Sequence, residues 1–377
     1  MIPMKRTWNI AVTSLLTINL LAAASFAEFT ASTAMAATAV KSSAATSSVA
    51  KTSNKKEQKA VTLKEAAQAK GKHIGVATQS WLVNKSEYAA VLNQEFDTIT
   101  PEYQMKMGVI QKQKGIYNFS EADALVDFAL KNNKIVRGHT LVWHSSLPSW
   151  VENGKFTREE WIAILKDHIT KTVQHFKGKV YGWDVVNEAF WQNGQYRPTV
   201  WYNNIGPEYI EMAFRFAHEA DPQAKLYYND FSSEVKNEKS DAIYKMLKDL
   251  KSKGVPIDGI GFQTHLTIDG LNYNDMKTNF QRFAALGLDT DITEMDLVTH
   301  TFQGTMEQKM NAAAAVYGNV MKVALSLPSC KFFIAWGLND SQSWLNEDTG
   351  FSEYPLLFDD SFGKKPAYNA VMEQLRK

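Results

Sequence analysis

From Val61 onward the chain alternates short runs dense in β-branched and aromatic residues with longer stretches whose apolar positions recur every three or four residues. The first pattern predicts strands over His73–Thr78, Glu95–Thr100, Lys134–Trp143, Lys179–Asn187, Lys225–Phe231, Ile257–Leu266, Leu288–Glu294 and Cys330–Trp336. The second predicts helices, among them Glu121–Asn132, Glu159–Phe176, Glu208–Ala220, Glu234–Lys253, Asn274–Leu286 and Met306–Ser326. Eight strands alternating with helices predict an α/β fold with a parallel barrel, the (β/α)8 or TIM barrel, in one domain over residues 61–377. The competing architecture is an open doubly wound sheet. No strand, however, leads into a G-x-G-x-x-G or G-x-x-x-x-G-K-[ST] turn, so its dinucleotide or phosphate chemistry has no seat.

The pattern breaks before residue 61. Lys5 and Arg6 precede an apolar stretch, Ile10–Ala24, which small residues follow; residues 1–36 read as a secretory signal peptide, cleaved after Ala27 or Ala36. The competing reading is an uncleaved anchor, although the stretch is short and carries Thr13, Ser14, Thr17 and Asn19. Residues 37–60 are mostly Ala, Ser, Thr and Lys, the composition of a disordered linker. The expected location is therefore extracellular, with the basic tail a candidate for contact with the cell wall, and the mature form is expected to have no membrane span.

Of 377 residues, 45% are hydrophobic and 21% charged, enough apolar material for one large core. The net charge is +1; with +1 on residues 1–36 and +4 on residues 37–60, the remainder carries −4, which argues against nucleic-acid binding. The single Cys330 has no intrachain partner for a disulfide and reads as a packing residue. A monomer is expected.

In a parallel barrel the chemistry sits at the C-terminal ends of the strands. Here those ends are polar: Glu102 with Lys106, His139 with Trp143 and His144, Asn187 with Glu188, Asn229 with Asp230, Gln263 with His265, Glu294 with Asp296, and Trp336 with Asp340. Hydrolysis of a glycoside needs two carboxyl groups flanking the bond, one holding a proton and one ionised. Glu188 follows the mostly apolar WDVVN, where burial and a second carboxylate would raise its pKa, as a general acid requires. Glu294 follows DTDIT, with His265 and Asp296 as partners that would keep it ionised. Trp143, Trp336 and Trp344 are candidate platforms for sugar rings. No H-E-x-x-H spacing suggests a metal, no G-x-S-x-G elbow suggests a serine nucleophile, and no cofactor is implied.

The segments RGHTLVWHSSLPSW (Arg137–Trp150), WDVVNEA (Trp183–Ala189), ITEMD (Ile292–Asp296) and WGLNDSQSW (Trp336–Trp344) resemble, in that order, glycoside hydrolase family 10, the endo-β-1,4-xylanases. The likeness runs from about Leu63 to the KPAYNAV stretch at Lys365–Val371. It implies a (β/α)8 fold, no cofactor, xylan or a related β-linked polysaccharide as substrate, and retaining hydrolysis with Glu188 as acid/base and Glu294 as nucleophile, their carboxyl groups about 5 to 5.5 Å apart. It further implies that Asn187 bonds the sugar 2-hydroxyl, that His265 contacts the nucleophile with Gln263 beside it, and that Asp296 orients His265. Glu102, Lys106, His139 and Trp143 would hold the non-reducing-side sugars, with Trp336 and Trp344 closing over them.

Four positions depart from the family pattern: Tyr103, Met107, Ser146 and Phe231 stand where the family usually has Asn, Trp, Gln and Tyr. Three lie in the segments that would bind the sugar two units from the cleaved bond, where a polar mismatch is worth roughly a few kcal/mol of discrimination. A retaining hydrolase of another β-linked glycan or a plant glycoside, and a non-catalytic glycan-binding barrel, are the alternatives those departures motivate.

Overall fold

A computed structural model describes residues 61–377. The signal peptide expected over 1–36 and the linker expected over 37–60 lie outside the described residues.

Nine strands are present among the described residues: β1 His73–Thr78, β2 Thr98–Pro101, β3 Ile135–Val142, β4 Gly182–Asn187, β5 Lys225–Asp230, β6 Gly259–Phe262, β7 His265–Thr267, β8 Asp289–Val298 and β9 Phe332–Ala335. All pair in parallel. β1 to β6 are neighbours in chain order, β6 pairs with β8, β8 with β9, and β9 returns to β1, which closes an eight-strand barrel. The (β/α)8 expectation holds, and each predicted helix is present within a few residues of its expected ends.

The helices form where local chemistry and burial agree. Arg158–His175 starts at Thr157, whose hydroxyl accepts from the Glu160 amide while Glu160 caps Thr157 in return. It buries Trp161, Ile164, Leu165, His168, Ile169, Thr172 and Val173, one stripe at helical spacing. Met306–Leu325 opens with the same box from Thr305 and Gln308.

Two strand readings are corrected. The segment expected as one strand over Ile257–Leu266 is two, β6 and β7, because Thr264 takes a left-handed backbone (φ 59°) between them. The strand expected to end at Glu294 runs on to Val298, and its last residues pair with β7, setting His265 opposite Asp296.

Inside the barrel, Arg137 spans two strands. Its Nε and Nη2 reach Asp184 Oδ1 at 3.1 and 2.7 Å, and its Nη1 reaches Asp291 Oδ2 at 3.2 Å. A buried cation with two carboxylates is costly to break, on the order of 3–5 kcal/mol if one partner is removed. One layer above, Gly261 leaves room for a neighbour: a Cβ there would lie 2.2 Å from Asn229 Oδ1. Among the described residues no helix is long and apolar enough to cross a membrane.

Candidate active site

Glu188 follows the last residue of β4 and carries a left-handed backbone, φ 58°, which costs a residue with a Cβ about 1 kcal/mol or more. That turn lifts its carboxyl out of the strand's alternation and into the mouth of the barrel. Glu188 Oε1 accepts from Asn187 Nδ2 and Gln263 Nε2, each at 3.1 Å. The Trp143 indole also bonds the carboxylate, and His144 Nδ1 stands 3.8 Å from Oε2.

Glu294 lies within β8 and faces the same space. Its Oε1 accepts from Asn229 Nδ2 at 2.6 Å, and its Oε2 meets His265 Nε2 at 3.2 Å. Asn229 also donates to Asn187 Oδ1 at 2.9 Å, so one pair of amides bridges the two glutamates' surroundings. Thr293 Oγ1 donates to Asn229 Oδ1 at 2.7 Å and fixes which end of that amide carries the donors.

His265 connects outward. Its Nδ1 lies 2.7 Å from Asp296 Oδ1, and Asp296 Oδ2 accepts the Trp344 indole N–H at 2.7 Å. Burial alone would discharge His265; the Asp296 charge and hydrogen bond, together with Glu294, outweigh it and hold its pKa well above the usual histidine range. A protonated imidazole donating to both carboxylates keeps Glu294 aimed.

The electrostatics of Glu188 run against expectation. Burial does push its pKa up, but the His144 charge, the Trp143 and Gln263 hydrogen bonds and the Arg197 charge prevail and bring it down to about 2. The anticipated rise from an apolar setting is therefore corrected. Its chain neighbours are apolar, while the lowering groups arrive from other loops.

The remaining expected residues join the same network. His139 Nδ1 bonds Asp184 Oδ2 at 3.0 Å and stands 3.9 Å from Glu294 Oε1. Trp336 packs edge-on against His139 and His265. Gln79 Nε2 donates to Glu102 Oε2 at 2.9 Å; burial raises the Glu102 pKa against that hydrogen bond and the Lys106 charge. The Lys106 ammonium lies between two rings, 4.5 Å from the centre of Tyr103 and 4.7 Å from that of Trp143.

The four departures separate. Tyr103 is 42% exposed, whereas Met107 and Phe231 are buried, Met107 within the core and Phe231 with its ring covered by the Lys239 ammonium. Ser146 is half-buried, and its carbonyl accepts the Gly108 amide at 2.7 Å. Only Tyr103 among them offers a large surface to solvent.

Sequence reasoning assigned no role to Asn229, Asp184, Arg137, Arg197 or Tyr228. Asn229 stood among the polar strand ends and so carried a signal. Arg137 and Asp184 carried another, being charges inside strand-like runs. Among the described residues no cluster of three or more His, Cys, Asp and Glu could hold a metal ion.

Residues 62–374 match the model of the family described as glycosyl hydrolase family 10. The chain is 43% identical over 323 residues to endo-1,4-β-xylanase B of Thermotoga neapolitana, covering 84% of this chain and 92% of that protein. It is 40% identical over 314 residues to a β-1,4-xylanase of Dictyoglomus thermophilum, 80% of this chain and 87% of that one. Among solved structures, xylanase 10B from Thermotoga petrophila RKU-1, in complex with xylobiose, superposes with a TM-score of 0.80 at 44% identity, over 84% of this chain and 98% of that chain.

Proposed function

The chain belongs to glycosyl hydrolase family 10, and from that premise we propose that it cleaves internal β-1,4-xylosidic bonds of xylan with Glu188 as acid/base and Glu294 as nucleophile. It is a retaining endo-1,4-β-xylanase. The observation that supports the residue roles is the shared amide bridge: Asn187, Asn229 and Gln263 tie the two buried glutamates into one site, Glu188 beside His144 and Glu294 beside His265.

Glu294 attacks the anomeric carbon while Glu188 passes a proton to the departing sugar oxygen, leaving a glycosyl ester on Glu294. Water then attacks that ester, with Glu188 taking the proton back. His265, cationic and fixed by Asp296, aims the Glu294 carboxylate for the first step and draws charge from its ester oxygen in the second. Esterification removes the Glu294 charge, which favours the ionised, basic form of Glu188 when the base is needed. The donor step needs the protonated form, so its rate at a given pH depends on how far His144, Trp143 and Gln263 hold the Glu188 carboxyl down. Lys106 and Glu102 offer donors and acceptors to sugar hydroxyls, and Trp143, Trp336 and Trp344 offer apolar faces.

Residues 1–36 support export to the medium, where the polymer is, and the domain acts there as a monomer; N-terminal sequencing of the mature protein, starting after Ala27 or Ala36, and light scattering check these two points. For the chemistry, xylo-oligosaccharide hydrolysis followed by proton NMR should give the β-anomer first. A 2-fluoro-xylobioside should label Glu294, and Glu294→Gln should lose roughly 10⁴-fold or more in kcat. Initial α-anomer, or label on another residue, would overturn the assignment.

A further inference from the structure

The left-handed turn at Glu188 is held at every peptide group around it. The Glu188 N–H donates to the Asn229 carbonyl at 3.0 Å, and the Glu188 carbonyl accepts from Arg197 Nε at 3.0 Å. The Ala189 carbonyl accepts from the Arg197 N–H at 2.8 Å. The fourth group, the Ala189 N–H, donates to a side chain instead, the Tyr228 hydroxyl at 3.0 Å.

That hydroxyl is itself directed. It donates to Asp230 Oδ2 at 2.5 Å, and a carboxylate oxygen only accepts, so the hydroxyl's lone pair is turned toward Ala189. Asp230 Oδ1 is held by the Lys239 ammonium at 2.7 Å and by the Phe231 N–H at 3.0 Å. Tyr228, Asp230 and Lys239 are all fully buried, so no water competes for these bonds. The Asp230 carbonyl also receives the Gln263 N–H at 2.9 Å, and the Gln263 side chain reaches Glu188 Oε1. The buried lysine–aspartate pair is thus linked to Glu188 by two routes, through Tyr228 to the Ala189 N–H and through Gln263 to the carboxylate.

We propose that Tyr228, oriented by Asp230 and Lys239, is a positioning residue that fixes the Glu188 carboxyl for proton donation by holding the peptide that follows it in the left-handed turn. The inference rests on the reading of Glu188 as the acid. A turn that relaxes moves the carboxyl away from the departing oxygen, which matters only where departure needs a proton. A sugar alcohol needs one; 2,4-dinitrophenolate leaves as a stable anion and does not. The defect must therefore depend on the leaving group, and loss of fold or of sugar binding would not.

Tyr228→Phe keeps the ring and removes the hydroxyl. The expected result is a fall of tenfold or more in kcat/KM for xylohexaose and less than threefold for 2,4-dinitrophenyl β-xylobioside. Arg197→Lys, which retains the charge but loses the planar Nε donor to the Glu188 carbonyl, should show the same split and serves if the first variant does not fold. Glu188→Ala is the reference and should show the split most strongly. Equal losses on both substrates in the two positioning variants, or none on xylohexaose, would overturn the inference while Glu188→Ala still splits. A Glu188→Ala enzyme with no split would instead overturn the acid assignment, and the inference with it.

Discussion

His144 Nδ1 lies 3.8 Å from Glu188 Oε2, and its side chain is 26% exposed against 6% for the glutamate. A partly exposed base beside a buried acid exchanges protons with solvent while acting on a group that is shielded from it. After burial, which acts the other way, the His144 charge is the largest influence on the Glu188 pKa. His144→Asn should raise that pKa and move the alkaline limb of the kcat/KM profile upward by roughly one unit, the size of effect a nearby opposite charge produces. An alkaline limb that stays in place would show that His144 does not set it.

The same depression couples the site to stability. The Glu188 carboxyl has an ordinary value of 4.5 and falls to about 2 in the fold, so the folded state binds its proton less readily than the unfolded chain. Its contribution is present in full above pH 4.5 and is lost as pH falls toward 2, an amount of about 3 kcal/mol for a shift of this size. Glu188→Gln, which cannot titrate, should lose less stability than the native protein between pH 5 and pH 2. Urea unfolding across that range measures the difference, and parallel curves would contradict it.

Asp296 serves two neighbours at once, His265 through Oδ1 and Trp344 through Oδ2, each at 2.7 Å. Two variants separate those services. Asp296→Asn replaces a charged acceptor with a neutral amide, so His265 loses its largest raising influence and Glu294 its cationic neighbour; kcat should fall by roughly 10² or more. Trp344→Phe removes only the N–H donor and part of the ring, and should raise KM more than it lowers kcat. Steady-state kinetics on one xylo-oligosaccharide decides the matter, and identical profiles for the two variants would argue against a division of labour.

How much of this was legible beforehand follows from where each signal resides. Strand positions followed from runs such as HIGVAT and KLYYND, and the barrel from their alternation with helices, since burial on both faces of a parallel sheet imposes near-continuous apolar runs. The break between β6 and β7 was not legible, because the left-handed residue there is Thr264, with no glycine to announce it. Glu294 was read as a strand end, yet TEMDLV continues in extended form, with Met295 paired to β9 and Asp296 to Val298 paired to β7. The role of Asn229 needs a partner 65 residues away in sequence, and the low Glu188 pKa needs charges from the loops after β3 and β4. Motif order points to Glu188 and Glu294 as the proposed reacting pair; the fields acting on them come from contacts between loops.

Tyr103 is the departure from the family pattern that faces solvent, and its ring lies 4.5 Å from the Lys106 ammonium, which Trp143 contacts from another side. A cation held between two rings loses little further freedom when a hydroxyl arrives, so with Lys106 in its proposed role of binding a sugar hydroxyl, the tyrosine orders that group. Tyr103→Asn removes one of those rings, at a cost of about 1 kcal/mol to the ordering of Lys106. KM for xylotriose and longer substrates should then rise roughly fivefold, with kcat and thermal stability nearly unchanged, while Tyr103→Phe should stay close to the native enzyme. A fall in KM for Tyr103→Asn would mean instead that the tyrosine obstructs the non-reducing-side subsite, and the preference between xylo- and cello-oligosaccharides should then shift with it.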